Sequence, residues 1–135
     1  AALAALRHRD RVIDLGERSD VADLVGASDV FVLASLAEGA AGALIEAMAV
    51  GTPIVVTDIE GLDGVVVDGL TALLVRPGDA ASLAHGIAAT MDDPGAAAAR
   101  ARNARAEFEA RFSIGQAAHG LASLYRRLGG GDRIR

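Results

Sequence analysis

Two carboxylates, Glu38 and Glu46, bracket a run of small residues, Gly39-Ala40-Ala41-Gly42-Ala43, and this is the stretch whose residue types and spacing could do chemistry. Glycine and alanine let a ligand come close to the backbone. Where such a run opens a helix, its free N–H groups and the helix dipole favour an anion such as a diphosphate. This would be a phosphate site without a lysine, because all thirteen basic residues of the 135-residue chain are Arg. Glu38 stands before the expected helix and Glu46 about one turn inside it, so carboxylates flank the place where phosphates would lie. A carboxylate repels phosphate; its natural partners here are hydroxyl groups to either side. One ionised carboxylate can accept from two vicinal hydroxyls, the pattern that a ribose or another sugar offers.

The composition removes several other chemistries. A P-loop and a Schiff-base enzyme need lysine, and thiol catalysis, iron–sulfur ligation and disulfides need cysteine; the chain has neither residue. His8, His85 and His119 are scattered over separate elements, and no His-x-x-x-His or Asp-x-Asp pair occurs, so no metal site is expected. The net charge is −5, with eight Arg against three acids in residues 100–135 and five Arg against fifteen acids before them. Arg100, Arg102, Arg105 and Arg111 wrap around a helix and form no stripe, which reads as a solvated face and predicts no nucleic-acid partner. No apolar run approaches the roughly 18 residues of a membrane span, and no signal-peptide pattern opens the chain, so a soluble, cytoplasmic location is expected. The first residue is not Met, which predicts a fragment of a longer protein.

The elements that must position the two carboxylates follow from periodicity. Arg11 to Leu15 is a short strand candidate, followed by a polar loop over Gly16 to Ser19 and a helix over Asp20 to Ala27 with Val21, Leu24 and Val25 on one face. Asp29 to Ser35 is almost wholly apolar, as a strand buried on both sides of a parallel sheet is. A helix over Gly42 to Val50, stopped by Gly51 and Pro53, precedes a second buried strand, Ile54 to Thr57, and a third follows at Thr71 to Val75. Asp79 caps a helix carrying Leu83, Ile87 and Met91, and Pro94 opens another. Ser113 and Gln116 form a capping pair ahead of an amphipathic helix with Ile114, Ala117, Leu121, Leu124, Tyr125 and Leu128, ended by Gly129 to Gly131. The alternation predicts an α/β fold, a Rossmann-like parallel sheet with helices on both faces. In such sheets ligands bind outside the carboxyl ends of the strands, where the Glu38 to Ala43 run falls.

The run Glu38 to Glu46 resembles the Glu-x7-Glu signature of family 4 retaining glycosyltransferases of the GT-B fold. The blocks around it, Ala27 to Ser35, Glu46 to Asp58 and Asp68 to Asp79, are similar to that family's C-terminal domain in order and spacing. The resemblance implies a donor-binding GT-B C-terminal domain over residues 1–128, truncated at its N-terminal side, with a flexible tail over 129–135. It implies that Glu38, the catalytic candidate, contacts hydroxyls of the donor sugar and that Glu46 holds the ribose hydroxyls of a nucleotide diphosphate sugar such as a UDP- or GDP-sugar. Backbone N–H groups of Gly39, Ala40, Ala41, Gly42 and Ala43 would hold sugar or phosphate oxygens, and Leu15, Gly16 and Arg18 would lie near the base. No cofactor or metal is implied beyond that donor substrate. The implied enzyme is a bacterial glycosyltransferase of carbohydrate biosynthesis, with an N-terminal acceptor domain as its partner and peripheral membrane association of the full-length parent. The chain alone is expected to be inactive. Its final helix is expected to pack its early apolar residues on this domain's sheet and to leave Tyr125 to Leu128 loosely held. The chain departs from the family at Ala40, where an aromatic residue is usual, and at Glu60-Gly61-Leu62-Asp63-Gly64, where the family has Gly-Gly-x-x-Glu. Two alternatives therefore stay open: a nucleotide- or sugar-binding module without catalysis, and a sugar-nucleotide epimerase of related fold.

Overall fold

In the computed structural model, which describes residues 7–37 and 42–129, strands β1 (Phe31–Leu33), β2 (Ile54–Thr57) and β3 (Leu73–Val75) pair in parallel in that order. Phe31 to Leu33 stand opposite Ile54 to Val56, and Val55 to Thr57 stand opposite Leu73 to Val75. All of β2 is buried, because helices cover both faces of the sheet. Side chains alternate along a strand. Ile54 and Val56 therefore join Leu44, Ala47 and Met48 of helix α2 (Gly42–Val50), while Val55 turns to the opposite face, where α3 (Ala80–Asp92) lies against it at Gly86. The architecture is the expected Rossmann-like α/β sheet.

The helices begin and end where local chemistry directs. Asp79 accepts from the Ser82 N–H at 2.9 Å to start α3, and Asp93 accepts from the Ala96 N–H at 2.9 Å to start α4 (Pro94–Glu107), whose first residue is proline. α2 ends at Gly51, whose φ of +84° suits glycine. α4 begins on the α3 side, where Pro94 and Thr90 approach Asp29 and Pro53 at the amino ends of the strands. It finishes on the α2 side, where Ala104 enters the core.

Three expectations change. Arg11 to Leu15 is not a strand. Arg9–Arg11 form a 3-10 turn, and Val12 to Leu15 run on with Ile13 81% exposed. A strand exists through its ladder, and among the described residues none lies alongside this one. The first and third strands are shorter than their apolar runs, since only the paired rungs count, and the first is buried on one side alone: Phe31 and Leu33 pack on the core while Val32, on the α3 face, stays exposed. Ahead of the third, the Thr71 side chain instead accepts from the Val67 N–H at 2.8 Å within the preceding turn. The third change is in the last helix, α5 (Ile114–Gly129). Its early residues do not pack on the sheet: Ile114 is 90% exposed, and Leu121, Leu124, Tyr125 and Leu128 are exposed as well. A π-helical turn, Phe108–Phe112, replaces them at the core with Phe108 and Phe112, and the extended backbone of Ser113 (ψ 152°) breaks the helix before α5 begins. The Ser113 hydroxyl accepts from the Gln116 N–H at 3.3 Å, the forward half of the capping pair. No described helix is long and apolar enough to cross a membrane.

Candidate functional site

The site is built at the carboxyl ends of β1 and β2. After Leu33 the chain leaves the sheet through Ala34 to Ala37; Glu38, Gly39, Ala40 and Ala41 lie outside the described residues, and the chain re-enters at Gly42 as the first residue of α2. At 100° per residue, Glu46 falls between Gly42 and Ala43 on the helix circumference, while Leu44, Ala47 and Met48 share the opposite side. Burial follows that division: Gly42, Ala43 and Glu46 are exposed, and Leu44, Ala47 and Met48 are fully buried. Glu46 is the one charged residue of an otherwise apolar helix. Among the described residues no hydrogen bond or ion pair engages it.

The carboxyl end of β2 supplies the facing wall. An open cleft of about 410 Å³ is lined by Leu36 and Ala37 on one side and by Ile59, Glu60 and Gly61 on the other. Glu60–Leu62 form a 3-10 turn held down by the buried Leu62, and beyond it the Arg111 guanidinium donates to the Gly64 carbonyl at 2.8 Å. A second cleft of about 300 Å³ opens on the α3 side, with Ala34 and Thr57 near Arg76 and Asp79. Arg76 pairs with Asp79 at 2.8 Å. The Ser82 N–H and then Arg76 hold the Asp79 carboxyl below the usual carboxylate range. The composition marked neither wall; only the parallel register brings residues 36–37 beside 59–61. Among the described residues, no three His, Asp or Glu side chains gather as they would around a metal ion.

Leu15, Gly16 and Arg18 are all exposed. Gly16, at φ +61°, donates its N–H to the Asp14 carboxylate at 3.1 Å, which shapes the loop. Arg18 makes a two-pronged pair with Asp20, at 2.7 and 2.6 Å. That pairing raises the Arg18 pKa and lowers that of Asp20. It also explains why Asp20 leaves the start of α1 (Val21–Gly26) without a side-chain cap. The C-terminal ends of α1 and α2 meet: a Cβ at Gly26 would lie 3.1 Å from Val50, and the Thr52 hydroxyl donates to the Val25 carbonyl at 2.8 Å. The loop before α1 lies about 9 Å from this contact, at the other end of a six-residue helix. Gly42, likewise, is at the far end of α2 from it.

Known proteins resemble this chain in sequence and fold. Residues 2–107 match the family described as Glycosyl transferases group 1. The chain is 34% identical over 121 residues to the lipopolysaccharide core biosynthesis mannosyltransferase LpsB of Rhizobium meliloti, covering 88% of this chain and 34% of that protein. Among solved structures, it superposes on sucrose-phosphate synthase of Thermosynechococcus elongatus with a TM-score of 0.74 and 35% identity, over 81% of this chain and 27% of that one. It matches Anabaena HepE in complex with UDP-glucose with a TM-score of 0.73 and 32% identity, over 81% and 31% of the respective chains. The chain therefore spans about a third of the length of these relatives. With the sequence match covering both strand-end walls and α2, the chain belongs to the group 1 glycosyltransferases.

Proposed function

We propose that this chain is the donor-binding, C-terminal GT-B part of a family 4 retaining glycosyltransferase, taking a UDP- or GDP-sugar. The observation that carries the reading is Glu46: an exposed carboxylate, engaged by no described partner, on the same face of α2 as Gly42 and Ala43. A similar structure, that of HepE, holds UDP-glucose. In this reading Glu46 accepts from the ribose hydroxyls and Glu38 from hydroxyls of the donor sugar. The N–H groups from Gly39 to Ala43, of which Gly42 and Ala43 open α2, stabilise the diphosphate as it departs, an electrostatic role. The loop of Leu15, Gly16 and Arg18 borders the base. The acceptor is held by another domain of the whole protein, which also carries any contact with a membrane surface, and this chain alone turns nothing over.

Calorimetric titration of the whole protein with UDP and with GDP tests the assignment. A ribose contact belongs to the nucleotide alone, whereas a sugar contact does not. Glu46→Ala should therefore weaken nucleotide binding by roughly ten- to a hundredfold, as expected for hydrogen bonds to a charged group, and Glu38→Ala should weaken it less. Unchanged affinity in Glu46→Ala would sink the assignment. Turnover separates the readings that share this pocket: a binding module transfers nothing, and an epimerase interconverts donor sugars without an acceptor.

A further inference from the structure

Thr57 is a buried hydroxyl that the reading above does not use, and it sits where β1 lets go of the sheet. The last rung between β1 and β2 joins Leu33 to Val56. From there the β2 backbone continues with β3 alone: Thr57 stands opposite Val75, and the Asp58 N–H donates to the Val75 carbonyl at 2.8 Å. Beyond Leu33, the side chain of Thr57 takes over from the ladder. Its hydroxyl donates to the Ser35 carbonyl at 2.5 Å and lies 3.4 Å from the Leu33 carbonyl. The residue is 3% exposed, so water does not compete for that bond. Branching at Cβ stiffens χ1, so the strand backbone itself sets the direction of the hydroxyl. The segment thus pinned is the one whose Leu36 and Ala37 line the larger cleft and whose next residue is Glu38.

We propose that Thr57 is a positioning residue for the nucleotide-sugar site: its hydroxyl fixes the start of the segment running from β1 to α2, and through it the affinity for the donor nucleotide. The inference rests on the donor-site reading given above. Thr57→Val keeps the branched shape and removes the donor, Thr57→Ala removes it without a γ-branch, and Thr57→Ser keeps it.

The test compares the wild-type whole protein with these three variants by thermal unfolding, by hydrogen exchange at Leu36, Ala37 and the first turn of α2, and by titration with UDP and GDP. In Thr57→Val and Thr57→Ala those amides should exchange faster and the nucleotide that binds should bind about three- to tenfold more weakly, the effect of one lost hydrogen bond. Thr57→Ser should restore both. Unchanged exchange in Thr57→Val and Thr57→Ala overturns the proposal, as does faster exchange with unchanged affinity. If Thr57→Ser behaves like Thr57→Val, the effect belongs to packing and the hydroxyl is not responsible. A wild-type protein that binds neither UDP nor GDP overturns the donor-site reading and the affinity half of this proposal with it; the exchange comparison then still decides whether Thr57 holds the segment.

Discussion

Gly86→Ala should destabilise the protein although it replaces glycine in a helix interior. Gly86 lies in α3 where the helix presses on the sheet, and a Cβ there would stand 2.6 Å from Val75 Cγ1 and 3.1 Å from Val55 Cγ1. Carbon atoms in contact prefer about 3.5–4.0 Å, so the nearer approach is short by roughly 1 Å. Both valines belong to strands, both are buried, and β-branching leaves each little freedom to rotate aside. Either α3 must lift or a valine must leave its rotamer, at a cost of about 1–3 kcal/mol. Against this stands the helix preference of alanine over glycine, about 1 kcal/mol. With two contacts violated, the steric cost lies toward its upper end, and the net loss should be about 1–2 kcal/mol. At the size of this domain that lowers Tm by roughly 3–8 °C. Gly120→Ala is the control. It makes the same exchange inside α5, where an added Cβ meets nothing within 4 Å, and it should stabilise by up to about 1 kcal/mol. Urea and thermal unfolding read both variants, and Val75→Ala added to Gly86→Ala should recover part of the loss as a non-additive term. A Gly86→Ala protein as stable as wild type would refute the close seating of α3 on β2 and β3.

Gly51→Ala should cost about 1–2 kcal/mol in chemical denaturation, because the C-terminal turn of α2 holds this residue at φ +84°. Phe112→Ala should lower stability by about 2 kcal/mol, since Phe112 packs partly buried against the core, whereas Leu121→Ala, on the exposed face of α5, should change it by less than about 0.5 kcal/mol. Equal losses for the two would mean that α5, and not the π-turn, seals the core. Asp79→Ala should show a pH-dependent deficit. The folded carboxyl titrates below its unfolded value, so its contribution is fully present above the ordinary carboxylate range near ~4 and disappears as the pH falls through the lowered folded value. Unfolding curves of wild type and variant should therefore stay separated at neutral pH and converge in strong acid, and a separation that widens on acidification would contradict the capping role.

The sequence by itself determined the features that depend on near neighbours. Gly42 to Val50 reads as a helix with the limits observed, because its stop lies in Gly51 and Pro53, next to it in the chain. The placement of Glu46 away from Leu44, Ala47 and Met48 follows from a rotation of 100° per residue and nothing more distant. The Asp79 cap closes over three residues, and the apolar run of β2 announces a strand covered on both sides, although the similar run of β1 leaves Val32 exposed. Tertiary structure alone decided the rest. Arg11 to Leu15 carries a strand pattern yet has no described strand to pair with, and α5 carries a core-facing stripe yet the two phenylalanines before it take the core position. The cleft between Leu36 and Gly61, the Arg111 bond to the Gly64 carbonyl and the Thr57 bond to Ser35 join residues more than twenty positions apart. Helix periods and caps are settled by hydrogen bonds that span a few residues and leave their pattern in adjacent side chains. A strand's partner, the cover on a helix face and the acceptor of a buried hydroxyl are chosen by whatever the folded chain brings alongside, so they leave no local pattern to read.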